Sequence, residues 1–136
     1  MNIKLEEHAF APVRAHATDA GMDIMSPVDV TVPARGSAVI DTGVCIELPR
    51  GTVGMLKSKS GLNVKHGIVS EGVIDEGYRG AIVVKLYNHS DKPYSVRRGD
   101  KITQLVVMPF FNVEIEITDT LSSGERGECG FGSSGR

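Results

Sequence analysis

The chain has 136 residues, the length of one domain, and its 40% hydrophobic and 24% charged residues are the balance of an ordinary globular protein, which argues against a disordered chain or a membrane protein. Seventeen acidic against fifteen basic side chains leave a net charge of -2, so no basic surplus steers the domain onto nucleic acid and any bound anion must be held by local groups. Cys45 and Cys129 fit neither a disulfide framework nor a C-x-x-C metal pair, which points to a reducing, cytoplasmic setting.

In chain order, Glu6 and Glu7 fall where a secretory signal needs an unbroken apolar stretch, and no later run approaches the ~20 apolar residues of a membrane helix, so neither export nor membrane spanning is expected. Val28, Val30 and Val32 alternate with Asp29 and Thr31, the period of a half-buried strand. Ala38 to Ile40, Cys45 to Leu48 and Val53 to Leu56 are short apolar or alternating runs bounded by turn residues, and Ser60 to His66 is the best candidate for a short helix. Strands are again predicted over Ala81 to Tyr87 and Ile102 to Met108. A further one is predicted where Val113, Ile115 and Ile117 alternate with Glu114, Glu116 and Thr118. Sixteen glycines, no tryptophan and a spacing of about ten residues predict an all-β sandwich, jelly roll or barrel. Residues 1–120 read as the folded domain. Residues 121–136, with five glycines and four serines, read as a mobile arm that is either a solvated tail or, through Arg126 and Phe131, a flap that closes over a ligand.

Three segments carry candidate chemistry. GVIDEGYRG (Gly72 to Gly80) puts Asp75 and Tyr78 on a turn at a strand end, where a carboxylate can take a proton from water or simply help form a tight turn. KSKSG (Lys57 to Gly61) offers ammonium groups, hydroxyls and a glycine before the helical turn, either a phosphate cradle or an ordinary solvated loop. Gln104 lies among Ile102, Leu105 and Val107, where its amide is either edge-exposed or orients a bound water. Arg98, Gly99 and Asp100 read as a turn. His8, His16, His66 and His89 show no zinc-ligand spacing, and no serine or cysteine has a nucleophile signature.

Taken in order, ATDAGMDI (Ala17 to Ile24), KSKSGL (Lys57 to Leu62), GVIDEGYRG, RGDKITQL (Arg98 to Leu105) and RGECGFGSSG (Arg126 to Gly135) resemble the five-motif pattern of the trimeric deoxyuridine triphosphatases over nearly the whole chain. The resemblance implies a distorted jelly roll in a homotrimer, with active sites at subunit interfaces and the C-terminal arm closing over one of them. It implies hydrolysis of dUTP to dUMP and pyrophosphate by a water attacking the alpha phosphorus, which limits uracil in DNA and supplies dUMP for dTMP synthesis. By the same resemblance Asp75 is the general base and Tyr78 packs on the deoxyribose. Backbone groups of a hairpin between Ile68 and Ile74, including Val69, Gly72 and Val73, read uracil, and Phe131 is the lid aromatic. Lys59, Ser60, Gly61, Gln104, Arg126, Gly132, Ser133 and Ser134 match phosphate contacts, while Asp23 and Gln104 match groups that hold Mg2+ through water. The pattern is departed from at Lys59 (commonly arginine), Gly77 (often aspartate), Cys129 (commonly glycine) and Ser134 (commonly threonine), and the hairpin is short.

Two other readings compete. The dCTP deaminases resemble this chain around Asp75, but their catalytic glutamate falls at Lys85, which cannot act as the same proton shuttle. A nucleotide-sensing module whose arm is ordered by dUTP would need no catalysis, yet the chain keeps a candidate for every catalytic role.

Overall fold

The computed structural model describes residues 1–130, and all regular elements lie before residue 110. Among the described residues they are β1 (Asn2–Leu5), β2 (Gly21–Met25), β3 (Val30–Val32), β4 (Ser37–Glu47), β5 (Thr52–Lys57), α1 (Ser60–His66), β6 (Ile68–Val69), β7 (Glu71–Ile74), β8 (Ala81–Asn88), β9 (Tyr94–Val96) and β10 (Lys101–Pro109). Two four-stranded antiparallel sheets form the body, one in the order β1-β4-β8-β6 and the other in the order β2-β10-β5-β7, with β3 and β9 as a separate pair. The all-β expectation holds.

Alternation explains which faces meet. In β8, Ile82, Val84 and Leu86 are buried while Val83, Lys85 and Tyr87 point outward. The inward residues of both sheets, among them Ile24, Ile40, Val44, Leu56, Ile68, Ile74, Ile102 and Leu105, form one core. With no tryptophan to fill it, that core is built from branched aliphatic side chains that suit pleated surfaces. The two runs predicted around Ala38 and Cys45 are one strand, β4, whose pairing with β8 shifts between Asp41 and Cys45. At that irregularity Thr42 Oγ1 donates to the carbonyl of Ile82 at 2.7 Å, which satisfies a group the broken ladder would leave unpaired. The strand predicted from Val28 starts at Val30.

The predicted helix is found over the expected residues. It ends because Gly67 adopts φ +66°, a left-handed conformation costly for other residues, and its N–H reaches the carbonyls of Leu62 and Asn63. Lys59 precedes the helix with extended backbone, and its carbonyl accepts the N–H of Asn63 at 2.9 Å. Arg98–Asp100 forms the predicted turn, with Gly99 at φ +89° and Arg97 N–H bonded to Asp100 Oδ2 at 2.8 Å.

Two expectations are corrected. The segment from Ile68 to Ile74 is not a hairpin: β6 pairs with β8 in one sheet and β7 with β5 in the other, with only Ser70 between them. The alternating run from Val113 forms no strand, because no β-partner within the chain takes up its backbone groups; Val113, Ile115 and Ile117 are 72%, 90% and 96% exposed. No helix among the described residues is long and apolar enough to cross a membrane.

Gly54 sits where β10, β5 and β7 run side by side, and a Cβ there would meet Leu105 Cδ1 at 3.0 Å and Ile74 Cβ at 3.1 Å. Gly54→Ala is expected to cost about 1–3 kcal/mol of stability through overpacking. Urea denaturation midpoints of the two proteins check this.

Candidate active site

Strand pairing assembles a cleft lined by charged and amide side chains. Gln104 in β10 lies directly opposite Asp23 of β2 on one side and Lys57 of β5 on the other, so three polar side chains share one row on one face. This row opens into a cleft of about 450 Å³ that is also lined by His16, Asp19, Gly21 and Lys59. A Cβ on Gly21 would collide with Gln104 Oε1, so the glycine of ATDAGMDI is what leaves room for the amide. Gln104 Nε2 donates to the carbonyl of Ser58 at 3.1 Å and is thereby aimed.

Asp23 is the electrostatic centre of the cleft. Its carboxylate is buried, pairs with Lys59, and accepts from Lys101 Nζ at 2.8 Å. Burial by itself would raise its pKa, but the hydrogen bonds and positive charge of Lys101 and Lys59 outweigh it and hold the carboxyl below the usual aspartate range. One carboxylate thus gathers two ammonium groups at the cleft of a chain of net negative charge. Nearby, Asp19 is held low chiefly by its hydrogen bonds with His16, whose Nδ1 lies 3.1 Å from Asp19 Oδ2. Lys57 pairs with Glu71 at 2.8 Å.

A buried hydroxyl network lies beneath the row. Ser70 Oγ and Thr103 Oγ1 are 2.8 Å apart, Thr103 Oγ1 donates to the carbonyl of Lys57 at 3.1 Å, and the Ser70 N–H donates to Ser58 Oγ at 2.9 Å. The KSKSG loop is therefore fastened both to β10 and to the junction of β6 and β7.

The predicted site residues divide into separate groups. Asp23, Lys59 and Gln104 come together, and Ser60 and Gly61 open α1 directly after Lys59, both exposed. Asp75 and Tyr78 lie elsewhere. In the register of β7 against β5, Glu71 faces Lys57 at the cleft end and Ile74 faces Gly54, so Asp75 is about 14 Å further along the strand. Asp75 is exposed, and Tyr78, 45% exposed, donates its hydroxyl to the carbonyl of Ala81 at 3.0 Å across Gly80. Ile68 and Ile74 are core residues and Val69 is half-buried, whereas Val73 is 60% exposed and Gly72 packs against Leu56. β7 is the edge of its sheet, so alternate backbone groups between Glu71 and Ile74 face outward. Arg126 is exposed and donates to the carbonyl of Gly130 at 3.2 Å; Phe131, Gly132, Ser133 and Ser134 lie outside the described residues.

Sequence reading missed Lys101. Strict alternation places residues 101 and 104 on opposite faces, but the pairing of β10 with β2 shifts between Lys101 and Thr103, and this irregularity brings both toward Asp23. The hydroxyl of Ser58, offered by the sequence as part of a phosphate cradle, is instead turned to the backbone of Ser70, and neither Ser70 nor Thr103 gives any sign in sequence of the hydroxyl it meets.

No group of three or more His, Cys, Asp or Glu side chains among the described residues is arranged to hold a metal. A single carboxylate beside a single amide suits an ion that keeps its own waters and takes most of its remaining ligands from phosphates.

A family model described as dUTPase matches residues 7–135. Deoxyuridine 5'-triphosphate nucleotidohydrolase of Clostridioides difficile is 42% identical, the match covering 97% of this chain and 94% of the relative. Among solved structures, the dUTPase of Staphylococcus bacteriophage 80alpha with dUpNHpp superposes with a TM-score of 0.92 at 34% identity, covering 99% of this chain and 98% of the other. A mutant dUTPase of phage phi11 of S. aureus, described with a coordinated structural Mg(II) ion, gives 0.81 at 31% identity over 88% and 96% of the two chains.

Because Asp23 has a lowered pKa, its contribution to stability is fully present above the usual aspartate value of about 3.9 and is lost as pH falls through the lower folded value. The stability advantage of the native protein over Asp23→Asn should therefore shrink between pH 6 and pH 3. Urea denaturation at the two pH values measures it, and an advantage that grows on acidification would contradict the ion cluster.

Proposed function

The chain belongs to the dUTPase family, and on that premise we propose that it hydrolyses dUTP to dUMP and pyrophosphate in sites shared between the subunits of a homotrimer. What supports this reading is that Asp75 lies about 14 Å further along the chain direction of β7 than Glu71, which faces Lys57 at the cleft end, so a base at Asp75 and phosphate groups at the cleft would meet on one substrate through a second copy. The exposed alternation from Val113 to Ile117, with Phe111 94% exposed before it, has the pattern of a strand that is buried on another subunit.

In this reading the triphosphate lies in the cleft, with its phosphates against Lys59, Ser60, Gly61 and Gln104. Lys101 keeps Asp23 paired when Lys59 turns to the phosphate. Asp23 and Gln104 would hold Mg2+ through its waters, and when bound it supplies neutralisation of phosphate charge. Asp75 of a neighbouring subunit takes a proton from water as the water oxygen bonds to the alpha phosphorus, and the bridging P–O bond breaks to release pyrophosphate. Outward backbone groups of β7 and the adjoining residues pair with uracil, and the Tyr78 ring packs on the sugar, leaving no room for a 2'-hydroxyl. Residues 121–136 close over the substrate, bringing Arg126 to the gamma phosphate and excluding bulk water. Lys85 stands on the outer face of β8 with its ammonium 5.0 Å from the Tyr87 ring, which supplies no carboxylate for deamination of dCTP. The setting proposed is cytoplasmic.

Pyrophosphate release measured with dUTP, dCTP, dTTP and UTP is expected from dUTP alone, and Asp75→Asn is expected to lower turnover by at least about 100-fold while dUpNHpp still binds. Wild-type turnover in Asp75→Asn would remove the base assignment. Binding of dUTP without turnover in the native protein would favour the sensing-module reading.

Deletion of residues 124–136 is expected to leave the oligomer intact by light scattering while removing most activity. A truncated protein of full activity would refute the closing arm.

A further inference from the structure

We propose that Glu76 is a positioning residue that sets the place of Asp75 by anchoring its turn to the turn between β4 and β5. The inference rests on the reading of Asp75 as the base and extends it to a residue to which no role has been assigned. Asp75 is exposed, and the position of its carboxylate depends on the backbone that carries it. That backbone is a short turn, in which the Tyr78 N–H donates to the Asp75 carbonyl at 3.0 Å, and a Cβ at Gly77 would have nothing within 4 Å.

Besides the Tyr78 hydroxyl bonded to Ala81, two side chains tie this turn to the body. Arg79 reaches Glu47 at 3.7 Å, a loose contact between two half-exposed groups. Glu76, partly buried, accepts the N–H of Gly51 at 2.7 Å through Oε2, a short charge-assisted bond to a backbone group that has no rotamers to lose. The Arg79 guanidinium also donates to the Glu76 carbonyl at 2.7 Å, so both ends of Glu76 are held.

Gly51 suits this role. Its φ of +73° turns its N–H toward Glu76, a conformation that L side chains rarely adopt. Its carbonyl accepts the N–H of Phe110 at 3.1 Å, at the point where the chain leaves β10 and the exposed C-terminal segment begins. One peptide turn thus joins the base-carrying turn to the end of β10, where the exposed segment begins. Without the Glu76 bond, Asp75 would sample positions displaced by about 1 Å or more, a shift that costs in the range of 100-fold when a reacting group is misplaced.

The test uses the full-length protein with dUTP and magnesium. Glu76→Ala is expected to lower kcat about 10- to 100-fold with KM for dUTP and affinity for dUpNHpp changed less than about threefold. Glu76→Gln, which keeps an oxygen acceptor for Gly51, is expected to recover most of the lost kcat. Amide hydrogen exchange at Gly51 should be slow in the native protein and in Glu76→Gln and fast in Glu76→Ala. An unchanged kcat in Glu76→Ala, an effect confined to KM, or a Gln variant as slow as Ala would overturn the proposal. Should Glu76→Ala fail to fold, Glu76→Met takes its place with the same expectations. Turnover retained by Asp75→Asn would defeat the base reading instead, and the Gly51 exchange rates would still decide the anchor.

Discussion

The architecture turns on Ser70, the one-residue link by which the chain passes from β6 in one sheet to β7 in the other. A crossing this short puts polar backbone inside the core, and a buried polar group without a partner costs about 1–3 kcal/mol. Ser58 and Thr103 satisfy it, and among the described residues no buried side-chain polar atom is left without a partner. The same three hydroxyl side chains fasten the KSKSG loop, the central strand β10 and the start of β7. The KSKSG loop and the strand that leads to Asp75 are therefore built on one buried frame.

That frame holds Asp75 apart from the cleft. β7 runs antiparallel to β5, so every residue from Glu71 onward moves away from the cleft where Asp23, Lys59 and Gln104 meet. In the function proposed, a net negative chain would meet a polyanion with the ammonium groups gathered at Asp23. Lys59 and Lys101 share Asp23, and the carboxylate keeps both ammonium groups ordered before a phosphate arrives. Ordering them in advance removes part of the entropy cost of binding, and it does so with a pair whose positive member can be exchanged.

Much of this was legible in the residues. Short apolar or alternating runs bounded by turn residues located β5, β8 and β10 to within two residues, and the helix falls on the segment from Ser60 to His66 that was its best candidate. Asp23, Lys59 and Gln104 were drawn into one group by resemblance, and strand pairing does bring them together. Other features depended on events that periodicity does not record. The irregularity in β10 turned Lys101 toward Asp23 against the alternation, and the one-residue crossing at Ser70 made two edge strands where a hairpin was expected. β1 escaped notice because its four residues are all exposed, so Ile3 and Leu5 mark no inward face of a half-buried strand.

The run from Val113 to Ile117 shows the other limit of periodicity. Alternation reports that a segment has one apolar and one polar face; it does not report which chain supplies the surface that covers the apolar one. Within one chain these side chains lie in water beside Glu114 and Glu116. In a monomer they would be a standing aggregation hazard, whereas on a neighbour they would bury their apolar face and leave the glutamates outside. In the function proposed, the separation of Asp75 from the cleft would make the same demand for a second copy. One assembly would answer both, completing the catalytic group and covering the exposed strand, so association and activity would stand or fall together.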